Sequence, residues 1–332
     1  MMVETPMRLH FGLIDPSGAL GRKYGGLGLS LEGGYIIKII EADSLQIRAH
    51  REDLRTIKDT LKKLNSLYST GTSFFIEVKR EIPRHVGLGS TTQLTLAVSK
   101  AVLKIKGLDI PVERVATLLD RGKVSGIGVH VFRWGGFVVD GGKGKGLPPL
   151  VVRHDFPKDW AFVLVLPDGR RVPEEGEEEL MASIVGRTDV AMEVAYRILL
   201  GLLPALKERN IEAFGQNLSA IQKLVGKHFE ELQGGVFRED VRNIVEFLCS
   251  VTYGCGQSSW GPLVYGLIKR ESYTTIASQV KTFLEESGIK ADVFLGVPRN
   301  RGAEIVVENA FLRRILSEVN KNSEKNKLFN YK

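Results

Sequence analysis

The residues from 82 to 102, IPRHVGLGSTTQLTLAVSKAV, place bare backbone and three hydroxyl side chains directly before a helical pattern. A helix start leaves several N–H groups unpaired and carries about half a positive charge, so an anion, phosphate above all, is at home there. Gly87 and Gly89 remove the Cβ atoms that would block close approach, and Ser90, Thr91 and Thr92 can cap the helix or donate to phosphate oxygens. A glycine turn with a plain Ser/Thr cap has the same pattern. No Gly-Lys-Ser/Thr follows, so this is no Walker loop, and it lacks the Rossmann spacing.

Three further stretches repeat the combination of glycine with polar residues. Residues 5–31 set Arg8, His10, Asp15 and Arg22 around a glycine cluster. Residues 121–142 add Arg121, Lys123, Ser125, His130 and Asp140, and residues 253–266 add Gln257, Ser258, Ser259 and Trp260. Glycine costs conformational entropy on folding, so four such clusters suggest a site assembled from several loops.

The elements that must hold these loops follow from periodicity. Strands are expected at 7–14, 33–42, 73–82, 134–142, 160–167, 263–269, 291–297 and 303–307. Helices are expected at 51–69, 90–102, 111–120, 188–209, 211–233, 238–251, 273–287 and 309–320. Strands and helices do not strictly alternate, which points to α+β rather than a doubly wound sheet. Gly, Lys and Pro cluster in GGKGKGLPPL, marking a boundary between domains at 1–155 and 156–320. The acidic run at 174–179 reads as a solvated helix start, and residues 321–332 as a polar tail.

The chain has 332 residues, 43% hydrophobic and 26% charged, with a net charge of +7, enough for a large core and suited to anionic partners. With no zinc pattern, helix-turn-helix or RNA-binding motif, phosphorylated metabolites are favoured over nucleic acid. Cys249 and Cys255 form no disulfide framework or metal quartet, which fits a reducing cytoplasm. The apolar runs are too short to span a bilayer, so no membrane partner is expected.

Pro83, Gly87, Leu88, Gly89 and Ser90 resemble the phosphate loop of the GHMP kinase superfamily, Pro-x-x-x-Gly-Leu-Gly-Ser-Ser, with Thr91 for the second serine. The strings RLHFGLID, GGLGLSL, HVGLGSTTQLTLAV, RGKVSGIGVHVFRWGGFVVDGG and GQSSWGPLVYG narrow this to a resemblance to β-ribofuranosylaminobenzene 5′-phosphate synthases, running from residue 7 to about 307. It implies a GHMP-kinase-like two-domain fold, with an N-terminal ribosomal-protein-S5-like α/β domain and a C-terminal ferredoxin-like α+β domain. The implied reaction joins 4-aminobenzoate or 4-hydroxybenzoate to the ribose of phosphoribosyl pyrophosphate with loss of CO2 and pyrophosphate. The pathway implied is that of methanopterin-type cofactors, and a homodimer is expected. An ATP-dependent kinase of the same fold is the first rival, and a non-catalytic phosphate- or RNA-binding protein the second. The bulky GCGQSSWG string counts against simple ATP transfer.

That reaction assigns roles. The loop at 87–92 would cradle pyrophosphate, and Arg8, Arg22, Arg84 and Lys123 are candidates for the phosphates. Mg²⁺ would bridge phosphate oxygens from Asp15 and Asp140. His10 or His130 would draw the proton from the ring's para substituent. Trp260 is the candidate to stack on the ring, with Trp134 read as core, and Ser258 and Ser259 would orient the departing carboxylate or cap a helix.

Overall fold

The computed structural model describes residues 1–169, 181 and 183–307. The expected acidic helix start, the helix near 309–320 and the polar tail lie outside the described residues. The strands are β1 (Met2–Glu4), β2 (Met7–Asp15), β3 (Tyr24–Leu31), β4 (Ile36–Glu41), β5 (Gln46–Arg48), β6 (Phe74–Arg80), β7 (Phe137–Asp140), β8 (Leu150–His154), β9 (Trp160–Pro167), β10 (Gly254–Gln257), β11 (Val264–Lys269), β12 (Ala291–Gly296) and β13 (Glu304–Val306). They build three sheets, ordered β13-β1-β4-β6-β5, β2-β3-β7-β8 and β10-β11-β9-β12. The helices are α1 (Arg51–Tyr68), α2 (Ser90–Ile105), α3 (Val112–Leu118), α4 (Ile127–Trp134), α5 (Thr188–Arg197), α6 (Leu203–Glu208), α7 (Ile211–Gln233), α8 (Arg242–Val251) and α9 (Tyr273–Glu286). Helices and mostly antiparallel sheets together make the expected α+β class.

A shared aromatic core packs the second sheet against the third. Phe11 of β2 lies 5.8 Å from Phe162 of β9 and 5.2 Å from Tyr265 of β11, and all three are fully buried. Burying each such ring contributes about 1.5–3 kcal/mol relative to exposure. The chain also returns to its beginning: β13 pairs antiparallel with β1, and the fully buried Arg299 pairs with Glu32 at 2.8 Å.

Helix α7 follows directly from its sequence. Asn210 caps it, its side chain accepting the Ala213 N–H at 3.0 Å, and Gly234 ends it in the left-handed region at φ 77°. Phe214, Leu218, Ile221, Val225 and Phe229 recur on one face and are buried. Loss of that cap in Asn210→Ala would cost about 1 kcal/mol. The helix expected over 188–209 is interrupted by a π turn, Ile198–Leu202, just before Pro204. Proline has no N–H to return to the carbonyl four residues back, so the turn widens there.

Three of the four glycine stretches contain regular structure as well as loops. Residues 24–31 form β3, residues 127–134 form α4 and residues 254–257 form β10. Their glycines serve close approach. A Cβ on Gly28 would lie 2.6 Å from the Leu9 carbonyl oxygen and from Ile127 of α4, and one on Gly254 would lie 2.4 Å from the Gly215 carbonyl oxygen of α7. Cys249 and Cys255, expected to form no disulfide framework, are bonded to each other across the turn between α8 and β10. Trp134, read as core, is 43% exposed and lies beneath the Arg133 guanidinium.

Candidate active site

Glycines fix the start of α2. Gly87 and Gly89 have φ of 94° and 73°, and Gly89 is the residue before the first turn. No side chain caps the helix, so Ser90, Thr91 and Thr92 do not fill the cap role allowed them, and the first N–H groups have no side-chain acceptor there. The loop is stitched to its neighbours. Ser258 Oγ donates to the Gly87 carbonyl at 2.7 Å and accepts the His10 N–H at 3.0 Å, while Arg8 Nη1 donates to the same carbonyl at 3.3 Å. A Cβ on Gly87 would come 2.3 Å from the Ser258 carbonyl oxygen, so only glycine fits.

Strand β2 contributes a bulge between His10 and Leu13, of the kind that re-aims side chains next to active sites. Gly12 lies in it at φ 116°, and its N–H donates to His10 Nδ1 at 3.1 Å. With Nδ1 accepting, neutral His10 carries its proton on Nε2 and donates to Ser125 Oγ at 3.0 Å. Burial and then the nearby Arg8 charge hold the pKa of His10 well below its usual value, so it stays neutral. Asp140, at the end of β7, accepts the Gly126 N–H at 2.9 Å and the Gly142 N–H at 3.0 Å, with Ser125 Oγ at 3.5 Å. Burial pushes its pKa up to about 6 against those donors.

These segments surround a cavity of about 220 Å³ whose lining is of two kinds. Arg8, Arg121, Lys123, Thr92 and Gly89 form a cationic set with His10 and Ser125, and Asp120 is the one carboxylate lining the cavity among the described residues. Leu13, Met181, Val225, Phe229, Val236, Phe237 and Trp260 form an apolar set. Trp260 and Phe229 meet edge-to-face with centroids 4.9 Å apart. Cations with a bare helix start suit a polyanion, and a ring-lined wall suits a flat apolar group.

Of the residues singled out from the sequence, Arg8, His10, Gly89, Thr92, Arg121, Lys123, Ser125, Gln257, Ser259 and Trp260 line this cavity. Gly87, Ser90, Thr91 and Ser258 are not among its lining residues, and buried Ser258 joins β2 to the glycine loop. His130 is elsewhere, buried and with Nε2 at 2.8 Å from the Pro148 carbonyl. Arg22 braces the turn after β7 through the carbonyls of Gly141 and Gly142, and Arg84 is buried against Asp53 and Thr56. His10 is at the cavity, but as a donor through Nε2 rather than the expected base. Sequence reasoning missed the face of α7 that carries Gln222, Val225, Phe229 and Gln233. The signal was present: polar Gln222 and a glycine at 226 interrupt an otherwise apolar helix face.

The donors expected for Mg²⁺ do not fit a resident ion. Asp15 Oδ1 accepts from the N–H groups of Ser17 and Gly18, and both Asp140 oxygens accept backbone N–H groups from a buried position. Among the described residues no group of three His, Cys, Asp or Glu side chains could hold a metal ion.

The fold and the glycine loop define a class. Residues 54–136 match the family described as GHMP kinases N terminal domain. The solved mevalonate kinase of Methanococcus jannaschii superposes with a TM-score of 0.66 at 18% identity, covering 90% of this chain and 98% of that one. Among curated proteins, the β-ribofuranosylphenol 5′-phosphate synthase of Archaeoglobus fulgidus is 34% identical over 92% of this chain and 100% of its own length. That of Methanocaldococcus jannaschii is 29% identical over the same shares. The chain therefore belongs to the β-ribofuranosylphenol 5′-phosphate synthase family within the GHMP kinase fold. Among the described residues no helix is long and apolar enough to cross a membrane.

Proposed function

We propose that the enzyme condenses phosphoribosyl pyrophosphate with 4-hydroxybenzoate, releasing CO2 and pyrophosphate. The observation that carries this is one cavity lined both by Arg8, Arg121, Lys123 and the start of α2 and by Phe229, Phe237 and Trp260. The relatives are named for a phenol product, and loss of the carboxylate from 4-hydroxybenzoate leaves a phenol, which favours this acid over 4-aminobenzoate.

The chemistry balances without a further reactant. The bond from ribose C1 to pyrophosphate breaks, and the pyrophosphate takes the electron pair. The ring carbon bearing the carboxylate bonds to C1, and the carboxylate leaves as CO2, returning its electrons to the ring. The helix-start N–H groups and the cations stabilise charge growing on pyrophosphate, while the aromatic wall holds the ring against C1. His10 stays neutral and orients Ser125.

We further propose a homodimer, working in the cytoplasm on the route to methanopterin-type cofactors. A stripe of exposed apolar residues, Met192, Tyr196, Leu199 and Leu200, supports the dimer.

The test uses 4-hydroxybenzoate labelled with ¹⁴C in its carboxyl group. Labelled CO2 released in step with pyrophosphate is expected. ATP consumption with an alcohol substrate and no CO2 would overturn the reading in favour of a kinase.

A further inference from the structure

Between α7 and α8 the chain crosses the apolar part of the cavity, where Val236 and Phe237 form part of the wall. The next residue, Arg238, turns away from solvent and is only 9% exposed. Its Nη1 donates to the carbonyl oxygens of Trp260 at 2.9 Å and Gly261 at 2.7 Å. Its Nε and Nη2 donate to Asp240 at 2.9 and 2.5 Å, and its backbone N–H donates to Gln257 Oε1 at 3.1 Å. Gln257 passes the connection on, its Nε2 donating to the Ser259 carbonyl at 3.0 Å. Ser259 itself has a φ of 56°, a left-handed conformation that serine holds only where its surroundings impose it. One buried guanidinium thus fixes the loop that carries Trp260, and its planar fork meets two carbonyls and a carboxylate together.

We propose that Arg238, oriented by Asp240, is the positioning residue for Trp260, and that this pair sets the affinity for the aromatic acid while leaving the phosphoribosyl grip alone. This rests on the proposed function for the identity of the acid. Within the loop at 257–261 the contacts differ: Arg238 holds the Trp260 and Gly261 carbonyls, whereas the tie to the glycine loop runs through Ser258, and Arg8, Arg121 and Lys123 come from the N-terminal segments.

The test measures binding directly, by calorimetry, for 4-hydroxybenzoate and phosphoribosyl pyrophosphate separately, with the full chain. Arg238→Gln should weaken 4-hydroxybenzoate about tenfold and leave phosphoribosyl pyrophosphate within about twofold. Arg238→Lys should fall between, because an ammonium cannot reproduce the fork. Asp240→Asn, at a more exposed side chain, keeps the fold and should show a smaller shift in the same direction. Equal weakening of both ligands, or of neither, overturns the proposal. A readout independent of substrate identity is tryptophan emission. Arg238→Gln and Asp240→Asn should shift it to the red, and the shift should vanish in the Trp260→Phe background. If wild type ignores 4-hydroxybenzoate yet the red shift is seen, the substrate reading fails and the brace stands; no shift overturns the brace.

Discussion

The two kinds of lining in the cavity are built in opposite ways. The cationic part comes from residues 8–12, 89–92 and 120–125, and it is fixed largely by main chain: a bulge in β2, left-handed glycines and the start of α2. The aromatic part comes from residues 181 and 222–260, and it is fixed by packed rings on α7 and one loop tied down by Arg238. An anion needs donors at set positions, which backbone supplies at little entropic cost. A flat ring needs area, which side chains supply. The two kinds of lining are therefore built by different parts of the chain.

The largest effect should come from the side chain that anchors the cationic part. Arg8 lines the cavity and donates to the Gly87 carbonyl, so Arg8→Ala removes a charge and loosens the glycine loop together. We expect kcat/KM for phosphoribosyl pyrophosphate to fall about 100-fold, roughly 2.7 kcal/mol, with 4-hydroxybenzoate binding within about twofold. Steady-state kinetics with each substrate varied in turn checks this. An equal loss for both would break the comparison, since it would make the two parts one unit.

The sequence disclosed these parts unequally. Pro83 to Thr92 was legible because a strand, positive-φ glycines and a helix start leave a local signature. Strand β9 and helix α7 were legible to the residue because continuous apolar character and helical spacing are also local. Strand β3 and strand β10 were not, because Gly26, Gly28 and Gly254 look like turn residues until a second element is brought within van der Waals distance. The same limit hid the aromatic wall. Phe229 and Gln222 fit a scaffold helix, and only the tertiary structure turns them toward Trp260. His130 and Asp15 show a related limit: residue type suggests chemistry, but the hydrogen bonds to Pro148 and to the Ser17 N–H are set by the tertiary structure.

An effect on stability rather than turnover tests how the cationic part is suspended. Asp140 joins the start of α4 to the turn after β7 through the Gly126 and Gly142 N–H groups, and Ser125 lies beside it. Its pKa is pushed from 3.8 up to about 6 by burial. A carboxyl whose folded pKa exceeds its unfolded value binds more protons when folded, so its contribution is full below about 3.8 and is lost as pH rises through about 6. The loss amounts to roughly 3 kcal/mol. Asp140→Asn does not titrate, so the stability advantage of wild type over the variant should shrink between pH 4 and pH 7. Urea unfolding at several pH values reads the difference, and a constant gap would mean that Asp140 ionises as an ordinary carboxyl.

The smallest effect should come from Arg22, and it sharpens the contrast with Arg8. Both are arginines in the same glycine-rich stretch of sequence, yet Arg22 is exposed and spends its donors on the carbonyls of Gly141 and Gly142 at 2.7 and 2.9 Å. Those bonds brace a turn outside the cavity. Arg22→Ala should therefore cost about 0.5–1.5 kcal/mol of stability and change kcat/KM for phosphoribosyl pyrophosphate less than about twofold. A tenfold rise in KM for that substrate, with stability unchanged, would place Arg22 on the ligand and extend the cationic part to the loop before β3. Nothing in its present bonding requires that, because a guanidinium already paired with two carbonyls gains little by leaving them for a solvated phosphate.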